Sequence, residues 1–175
     1  MSRGTMITPT TAAAAASGPP SWQAIVLYFL LLMTGVGLQA TVSSHLGFLG
    51  AQPDFLLALA LCVALLTNAP LGASAGFLSG LMMAAISGQT MGTYLVTRTV
   101  AAWLVGGLRK RFVRAGVLVT LLGVGVGSLI AGLLYGLSVP RIGLYHWLSL
   151  TFVGAGLNML VALPIAVLLR WQTRT

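Results

Sequence analysis

The sequence predicts an all-α polytopic membrane protein with about six transmembrane helices, and three observations support this class. Hydrophobic residues make up 58% of the 175 residues and charged residues only 6%, whereas a soluble domain has roughly 25% charged residues. A chain of this composition cannot cover a surface that faces water, so the bilayer must be its solvent. The apolar residues also occur in long runs, and most of the nine basic residues lie between these runs or near the ends of the chain. That distribution favours helix orientation and contact with anionic lipid over nucleic-acid binding.

Two segments are predicted along the chain. Residues 1–21 are rich in Thr, Ala and Pro and carry one charge, Arg3, so we predict a disordered cytoplasmic leader. Residues 22–172 are predicted to form a single transmembrane domain. Its first apolar run is too long for a signal-peptide core and lacks a convincing small-residue cleavage site, which favours a retained span. The predicted spans are residues 22–42, 54–68, 70–87, 91–108, 116–137 and 146–170.

The second and third spans are short and are joined by Asn68-Ala69-Pro70. A single helix of roughly 34 residues would be about 50 Å long, whereas the hydrocarbon core is roughly 30 Å thick. Asn favours a helix N-cap and Pro favours the first helical turn. The sequence therefore predicts a helical hairpin that turns here. A five-span count with one broken, partly re-entrant segment is the alternative.

The positive charges predict the orientation of the spans. With six spans, seven basic residues fall on one face, and Arg141 alone lies on the opposite face. Because cytoplasmic loops carry the excess of Lys and Arg, both termini are predicted to lie in the cytoplasm. The seven residues are Arg3, the basic cluster Arg109, Lys110, Arg111 and Arg114, and the C-terminal Arg170 and Arg174.

Few side chains could carry chemistry. Asp54 is the only acidic residue, and the chain has two histidines, His45 and His146, and one cysteine, Cys62. These cannot supply a carboxylate pair, a metal cage or a conventional catalytic triad. The sequence therefore predicts a protein that is not an enzyme and has no cofactor or metal site.

Asp54 and Arg98 are charged residues of opposite sign that lie at or within predicted spans. Asp54 opens the second span, and Arg98 lies about seven residues inside the fourth, roughly 10 Å from the outer interface at 1.5 Å per residue. An intramembrane Arg is costly and needs a partner or a polar cavity. One hypothesis is that the two side chains meet near the outer leaflet and clamp the two spans together. The alternative is that Arg98 extends to the interface while Asp54 only caps its helix.

Small residues predict the helix-packing faces. Gly72, Gly76 and Gly80 repeat every four residues in the third span, beside Phe77, and a second stripe in the fifth span contains Gly132 and Gly136. Such stripes let backbones approach closely in lipid. They predict either internal packing or a face that receives a partner's helix. Gln39 and Asn158 are further polar positions, suited to interhelical hydrogen bonds or to a substrate contact.

Four segments in order resemble the bacterial rod-shape-determining protein MreD family. They are Pro53-Asp54, Asn68-Ala69-Pro70-Leu71-Gly72-Ala73, Gly76-Phe77-Leu78-Ser79-Gly80-Leu81 and Ser87-Gly88-Gln89-Thr90-Met91-Gly92. The resemblance covers residues 52–108 well and the rest only by size and topology. One departure is at Met83-Ala84-Ala85, where the family commonly has an acidic residue.

The resemblance implies a non-enzymatic subunit of the cell-elongation (rod) complex in the bacterial inner membrane. Such a subunit would bind the bitopic MreC protein and connect MreB filaments to peptidoglycan synthesis by RodA and its transpeptidase partner. It also implies a fold related to the substrate-binding subunits of energy-coupling-factor transporters. The alternative function is therefore a vitamin-capture subunit of such a transporter. Whether the protein forms a homodimer is left open.

Overall fold

A computed structural model describes residues 22–88, 90–108, 116–139 and 143–172. These residues form six helices and no β-strand, apart from an isolated bridge between Phe48 and Ala51. From Leu31 onward the described residues form one compact unit, and the packing given below lies within it. The helices are α1 (Trp22–Thr41), α2 (Phe55–Leu66), α3 (Ala69–Ser87), α4 (Met91–Gly107), α5 (Gly116–Ser138) and α6 (Leu144–Gln172).

Several predicted features lie outside the described residues. They are the leader over residues 1–21, the basic cluster Arg109, Lys110, Arg111 and Arg114, the lone Arg141 of the opposite face, and Arg174, as well as the side chain of Arg170. The cytoplasmic position of both termini therefore stays a prediction.

Within the described residues, three helices are long and apolar enough to cross a membrane: Ala69–Ser87, Gly116–Ser138 and the Leu144–Leu168 part of α6. The helix ends lie within two residues of the predicted span ends. Large apolar side chains are exposed along α5 and α6, among them Leu118, Leu137, Phe152 and Leu160. Such a surface suits contact with lipid. That all six helices cross the bilayer stays a prediction.

The short helix α2 lies in the core of the helical unit. It packs against α3, α4, α5 and α6, and all but two of its 12 residues are buried. A helix that is apolar on every side is expected to be buried. With 12 residues α2 is about 18 Å long, much shorter than a hydrocarbon core of roughly 30 Å. Its first backbone N–H groups consequently lie inside the protein and need partners there.

The turns on either side of α3 follow from local sequence. The side chain of Asn68 accepts a hydrogen bond from the N–H of Leu71 at 2.9 Å, and Pro70 occupies the first helical turn. The chain therefore reverses between α2 and α3 at the predicted turn. At the other end, Gly88 has a φ of 62° and closes α3 through its N–H to the carbonyl of Ala84. This left-handed conformation favours glycine.

Candidate polar site at the start of helix α2

Asp54 is the N-cap of α2. Its Oδ1 accepts a hydrogen bond from the N–H of Leu57 at 2.8 Å, and its carbonyl accepts one from Ala58. The first N–H groups of a helix have no partner within the helix, and in an apolar environment each unpaired group is costly. The carboxylate thus uses Oδ1 to cap the helix, as an N-cap side chain does in a soluble protein. Its second oxygen is left for another partner.

Gln39 of α1 and Asn158 of α6 accept hydrogen bonds from two more N–H groups at the start of α2. Oε1 of Gln39 accepts from the N–H of Phe55 at 2.8 Å, and Oδ1 of Asn158 accepts from the N–H of Asp54 at 2.6 Å. Of the two roles predicted for these polar side chains, the contacts favour interhelical hydrogen bonding. A substrate contact is not needed to account for either residue.

Serine hydroxyls complete the network on both sides. Oγ of Ser43 donates to the carbonyl of Pro53 at 2.8 Å, while Nε2 of Gln39 donates to Oγ of Ser43 at 3.1 Å. On the opposite side, Nδ2 of Asn158 donates to Oγ of Ser128 at 3.0 Å. The amide groups of Gln39 and Asn158 therefore both donate and accept, which fixes the orientation of each side chain.

Arg98 of α4 pairs with the second oxygen of Asp54. Its Nη2 donates to Oδ2 of Asp54, and its Nη1 lies 3.4 Å from the carbonyl oxygen of Ser79 in α3. The guanidinium also lies 5.3 Å from the ring centroid of Tyr94, within the range of a cation–π contact. The Arg98 side chain is 3% exposed and that of Asp54 is 19% exposed. The structure therefore brings together the two residues of the first hypothesis, and Asp54 also caps α2, as the alternative had it.

An open cavity of about 260 Å³ adjoins this ion pair. Tyr94 and Tyr135 both line it, and their rings contact each other with centroids 5.2 Å apart. Trp147 also lines it and is held by a hydrogen bond from its Nε1 to the carbonyl of Gly132 at 3.1 Å. Six of the residues that line the cavity are Asp54, Arg98, Asn158, Tyr94, Tyr135 and Trp147.

The predicted glycine faces pack inside the helical unit. A Cβ added at Gly76 would lie 2.5 Å from the carbonyl oxygen of Arg98, and one at Gly80 would lie 2.8 Å from that of Tyr94. A Cβ at Gly72 would lie 2.7 Å from the side chain of Ala64 in α2. These glycines therefore let α3 approach α4 and α2 closely, and their face is covered. Phe77, by contrast, is 47% exposed.

The second stripe brings α5 against α6. A Cβ at Gly132 would lie 2.6 Å from the side chain of Thr151, and one at Gly136 would overlap the indole of Trp147. Both glycines thus make room for side chains at the start of α6. This close packing sets the position of Trp147 at the cavity.

The other candidate reactive residues stand apart from this site. His45 and His146 are exposed, and Cys62 is buried in α2. No three His, Cys or acidic side chains come together in the part of the chain that the structure describes, so those residues offer no metal cage. The contacts at the start of α2 neutralise charge and pair backbone groups.

Sequence reasoning missed Ser43, Ser79 and the aromatic wall of the cavity. A usable signal was present, because a helix that begins inside the protein needs acceptors for its N–H groups. That requirement would have pointed from Asp54 to polar residues on neighbouring spans. It would not have selected Tyr94 or Tyr135, whose positions depend on helix packing.

Comparisons of the chain with known protein families, with curated proteins and with solved structures gave no match.

Proposed function

We propose that this protein is a non-enzymatic integral membrane subunit of the bacterial cell-elongation complex. In this function it lies in the inner membrane with both termini in the cytoplasm and binds a bitopic partner of the MreC type. Through that partner it helps couple MreB filaments to peptidoglycan synthesis by RodA and its transpeptidase. Its fold would be the six-span fold related to the energy-coupling-factor substrate-binding subunits.

One observation supports the proposal most: the segments that resemble MreD are those that build the joint between α2, α3 and α4. Pro53-Asp54 starts α2, Asn68-Ala69-Pro70 turns the chain, and Gly76 and Gly80 allow the close contact with α4. A resemblance at residues with such defined packing roles supports the proposed function more strongly than one scattered over lipid-facing positions would.

The chemistry of the site also favours a structural subunit. Asp54 is the only acidic residue of the chain, and it is engaged by Arg98 and by the N–H of Leu57. Asn158 uses its oxygen on Asp54 and its nitrogen on Ser128. These groups hold helices together. An assembly subunit needs such a rigid framework to present its outer faces to partners.

The partner surface is expected on the outer face of α3. Since Gly72, Gly76 and Gly80 are covered by α2 and α4, a partner helix cannot use the glycine stripe itself. Phe77 lies between two of these glycines and is 47% exposed. We therefore expect Phe77 to contact the partner.

Co-purification tests this function. The protein, which carries a tag, and an MreC-type partner from the same organism are produced together and extracted in mild detergent. The tagged protein is then captured and the bound partner is measured. We expect capture of the partner by the wild type and reduced capture by Phe77→Ala. The matched control is Phe152→Ala, because Phe152 is a 62% exposed phenylalanine on α6. Failure of the wild type to capture the partner contradicts the proposal. Equal capture by the two variants would show that Phe77 does not contact the partner.

The presence of a cavity is the reason to keep a second candidate function, the substrate-capture subunit of an energy-coupling-factor vitamin transporter, although two properties of the cavity count against this function. At about 260 Å³ the cavity is slightly below the range of roughly 300–1,000 Å³ typical of drug-sized ligands. Its central polar groups are also paired with one another. Recovery of an ATPase module in place of the MreC-type partner, together with a bound vitamin, would favour this function over the first.

A further inference from the structure

We infer that the turn of residues 48–51, between α1 and α2, inserts into a lipid leaflet at the boundary between headgroups and acyl chains, with Phe48 and Leu49 as the inserted side chains. The inference goes beyond the proposed function and does not depend on it. It follows from the position of the turn along α6, from the side chains that the turn exposes, and from the backbone conformation of Leu49.

Contacts with α6 place the connection between α1 and α2 at membrane depth. Asn158, which binds the start of α2, lies roughly 21 Å along α6 from Leu144 at 1.5 Å per residue. A Cβ at Gly50 would lie 3.5 Å from the side chain of Leu150, a residue roughly 9 Å from the same helix end. The stretch Leu144–Leu168 is long and apolar enough to cross a membrane. The turn therefore lies beside the first turns of this stretch and not beyond its end, at the depth where headgroups meet acyl chains.

The turn exposes apolar side chains and carries no charge. Phe48 is 61% exposed and Leu49 is 72% exposed, and Leu46 just before the turn is also exposed. No Asp, Glu, Lys or Arg lies between Arg3 and Asp54 in the sequence. A charged partner surface would find no opposite charge here to pair with, and in water the apolar side chains would stay exposed at a cost. A lipid leaflet is the occupant that fits.

The backbone of Leu49 is in a conformation that leucine rarely adopts. Its φ is 52° and that of Gly50 is 82°, so both central residues of the turn are left-handed. Turns of this kind favour Asn-Gly, because a bulky side chain at positive φ is strained. In water a leucine here would be both strained and exposed. Insertion of its side chain into lipid offsets the strain.

The backbone around the turn is largely paired within the segment. The N–H of Phe48 donates to the carbonyl of Ala51 at 2.8 Å, and the N–H of Ala51 donates to that of Phe48 at 2.9 Å. The N–H groups of His45 and Leu46 both donate to the carbonyl of Val42. Backbone that contacts lipid needs such internal pairing. The polar groups that remain can reach headgroups and water, since interfacial segments insert only about 5–10 Å.

Thiol modification in vesicles tests the position of the turn. Leu49→Cys and the control Thr90→Cys are made in the full-length protein, which is reconstituted in vesicles of phosphatidylcholine and phosphatidylglycerol and treated with a charged maleimide. Thr90 is exposed in the turn between α3 and α4. Because the chain reverses between α2 and α3, this turn lies on the same side of the helical unit as the start of α2. The native Cys62 is buried and should stay unmodified.

We expect position 90 to react at least about tenfold faster than position 49, because the reagent stays in water and reacts with the thiolate, which forms poorly in an apolar environment. After denaturation in SDS the two positions should react at equal rates. Equal rates in vesicles overturn the inference. Slow reaction at position 49 that appears only with an MreC-type partner, or only at a high protein-to-lipid ratio, assigns the turn to a protein contact and also overturns it.

The sign of a second substitution gives an independent test. Leu49→Asn removes the apolar side chain and suits the left-handed backbone. Thermal unfolding in the same vesicles is followed by the reaction of the buried Cys62 with a thiol dye. We expect the unfolding midpoint to fall by at least about 2 °C, because Asn is poorly accommodated in lipid. In a turn that faces water the change only relieves strain, so a midpoint equal to or above that of the wild type overturns the inference.

The two tests do not depend on one variant or on the proposed function. If Leu49→Cys fails to fold, as gel filtration would reveal, Phe48→Cys replaces it at the neighbouring inserted residue. Capture of an MreC-type partner is measured separately in detergent. Lipid insertion of the turn and the proposed function can therefore fail independently of each other.

Discussion

The backbone N–H of Asp54 donates a hydrogen bond to Oδ1 of Asn158 at 2.6 Å, although the two residues are 104 positions apart. Together with the bond from Phe55 to Gln39, this contact ties the start of α2 to both α1 and α6. The first N–H groups of a helix have no partner within the helix, and those of α2 lie among neighbouring helices. Side chains from distant spans must therefore complete its N-terminus.

Replacement of Asn158 should unpair groups on two helices. In Asn158→Leu the N–H of Asp54 loses its acceptor and the hydroxyl of Ser128 loses a donor. Each buried polar group left without a partner costs about 1–3 kcal/mol, so the free energy of unfolding should fall by at least about that amount. It can be measured by denaturant unfolding in micelles. The control is Ser149→Ala, at a partly exposed serine of the same helix whose hydroxyl donates only to the nearby carbonyl of His146, and it should be nearly neutral. Equal losses in the two variants would contradict the prediction.

Separation of the ion pair should destabilise the protein even when the cap of α2 is kept. Asp54→Asn keeps a side-chain oxygen for the N–H of Leu57 but leaves Arg98, which is 3% exposed, without its carboxylate. Removal of one partner from a buried pair costs about 3–5 kcal/mol. The double variant Asp54→Asn/Arg98→Met should lose less than the sum of the single losses, by about 0.5–3 kcal/mol. Strictly additive losses in the measured free energies of unfolding would mean that the pair does not couple α2 to α4.

The cap of α3 offers a test with an internal control. Asn68 accepts from the N–H of Leu71, whereas Thr90 at the start of α4 makes no side-chain cap hydrogen bond. Asn68→Ala should therefore lower the free energy of unfolding by about 1 kcal/mol. Thr90→Ala should change it much less. If thermal or denaturant unfolding gave the two variants the same stability, the turn between α2 and α3 would not depend on this cap.

The close contact between α3 and α4 should not tolerate a methyl group at Gly76. The added Cβ would lie 2.5 Å from the carbonyl oxygen of Arg98 and 2.9 Å from the Cβ of Ala102. Because these neighbours are backbone and a short side chain, the helices must separate. Such overpacking costs about 1–3 kcal/mol. In Gly92→Ala the new Cβ meets nothing within 4 Å, so that variant should be neutral or slightly stabilised; a neutral Gly76→Ala would contradict the packing described.

The sequence predicted local features well where neighbouring residues determine them. The turn at Asn68-Ala69-Pro70 could be predicted because a cap residue and a proline act on the adjacent backbone. The contact of Asp54 with Arg98 could be hypothesised because a charge inside an apolar span requires compensation. The pairing of Gln39 with Phe55 could not be predicted, since several polar residues were available and nothing in the sequence ranked their distances to this backbone.

The composition and the long apolar runs by themselves indicated a helical membrane protein with apolar outer surfaces, because so few charged residues cannot cover a water-facing fold. The composition also determined that Asp54 would be the only acidic side chain available to Arg98. The tertiary structure decided that α2 lies in the core, that its start draws on α1, α4 and α6, and that Tyr94, Tyr135 and Trp147 form one cavity wall. The physical reason is that these relations depend on which helix faces meet. That outcome is set by the fit of small residues such as Gly76 and Gly136 against their neighbours across the whole chain.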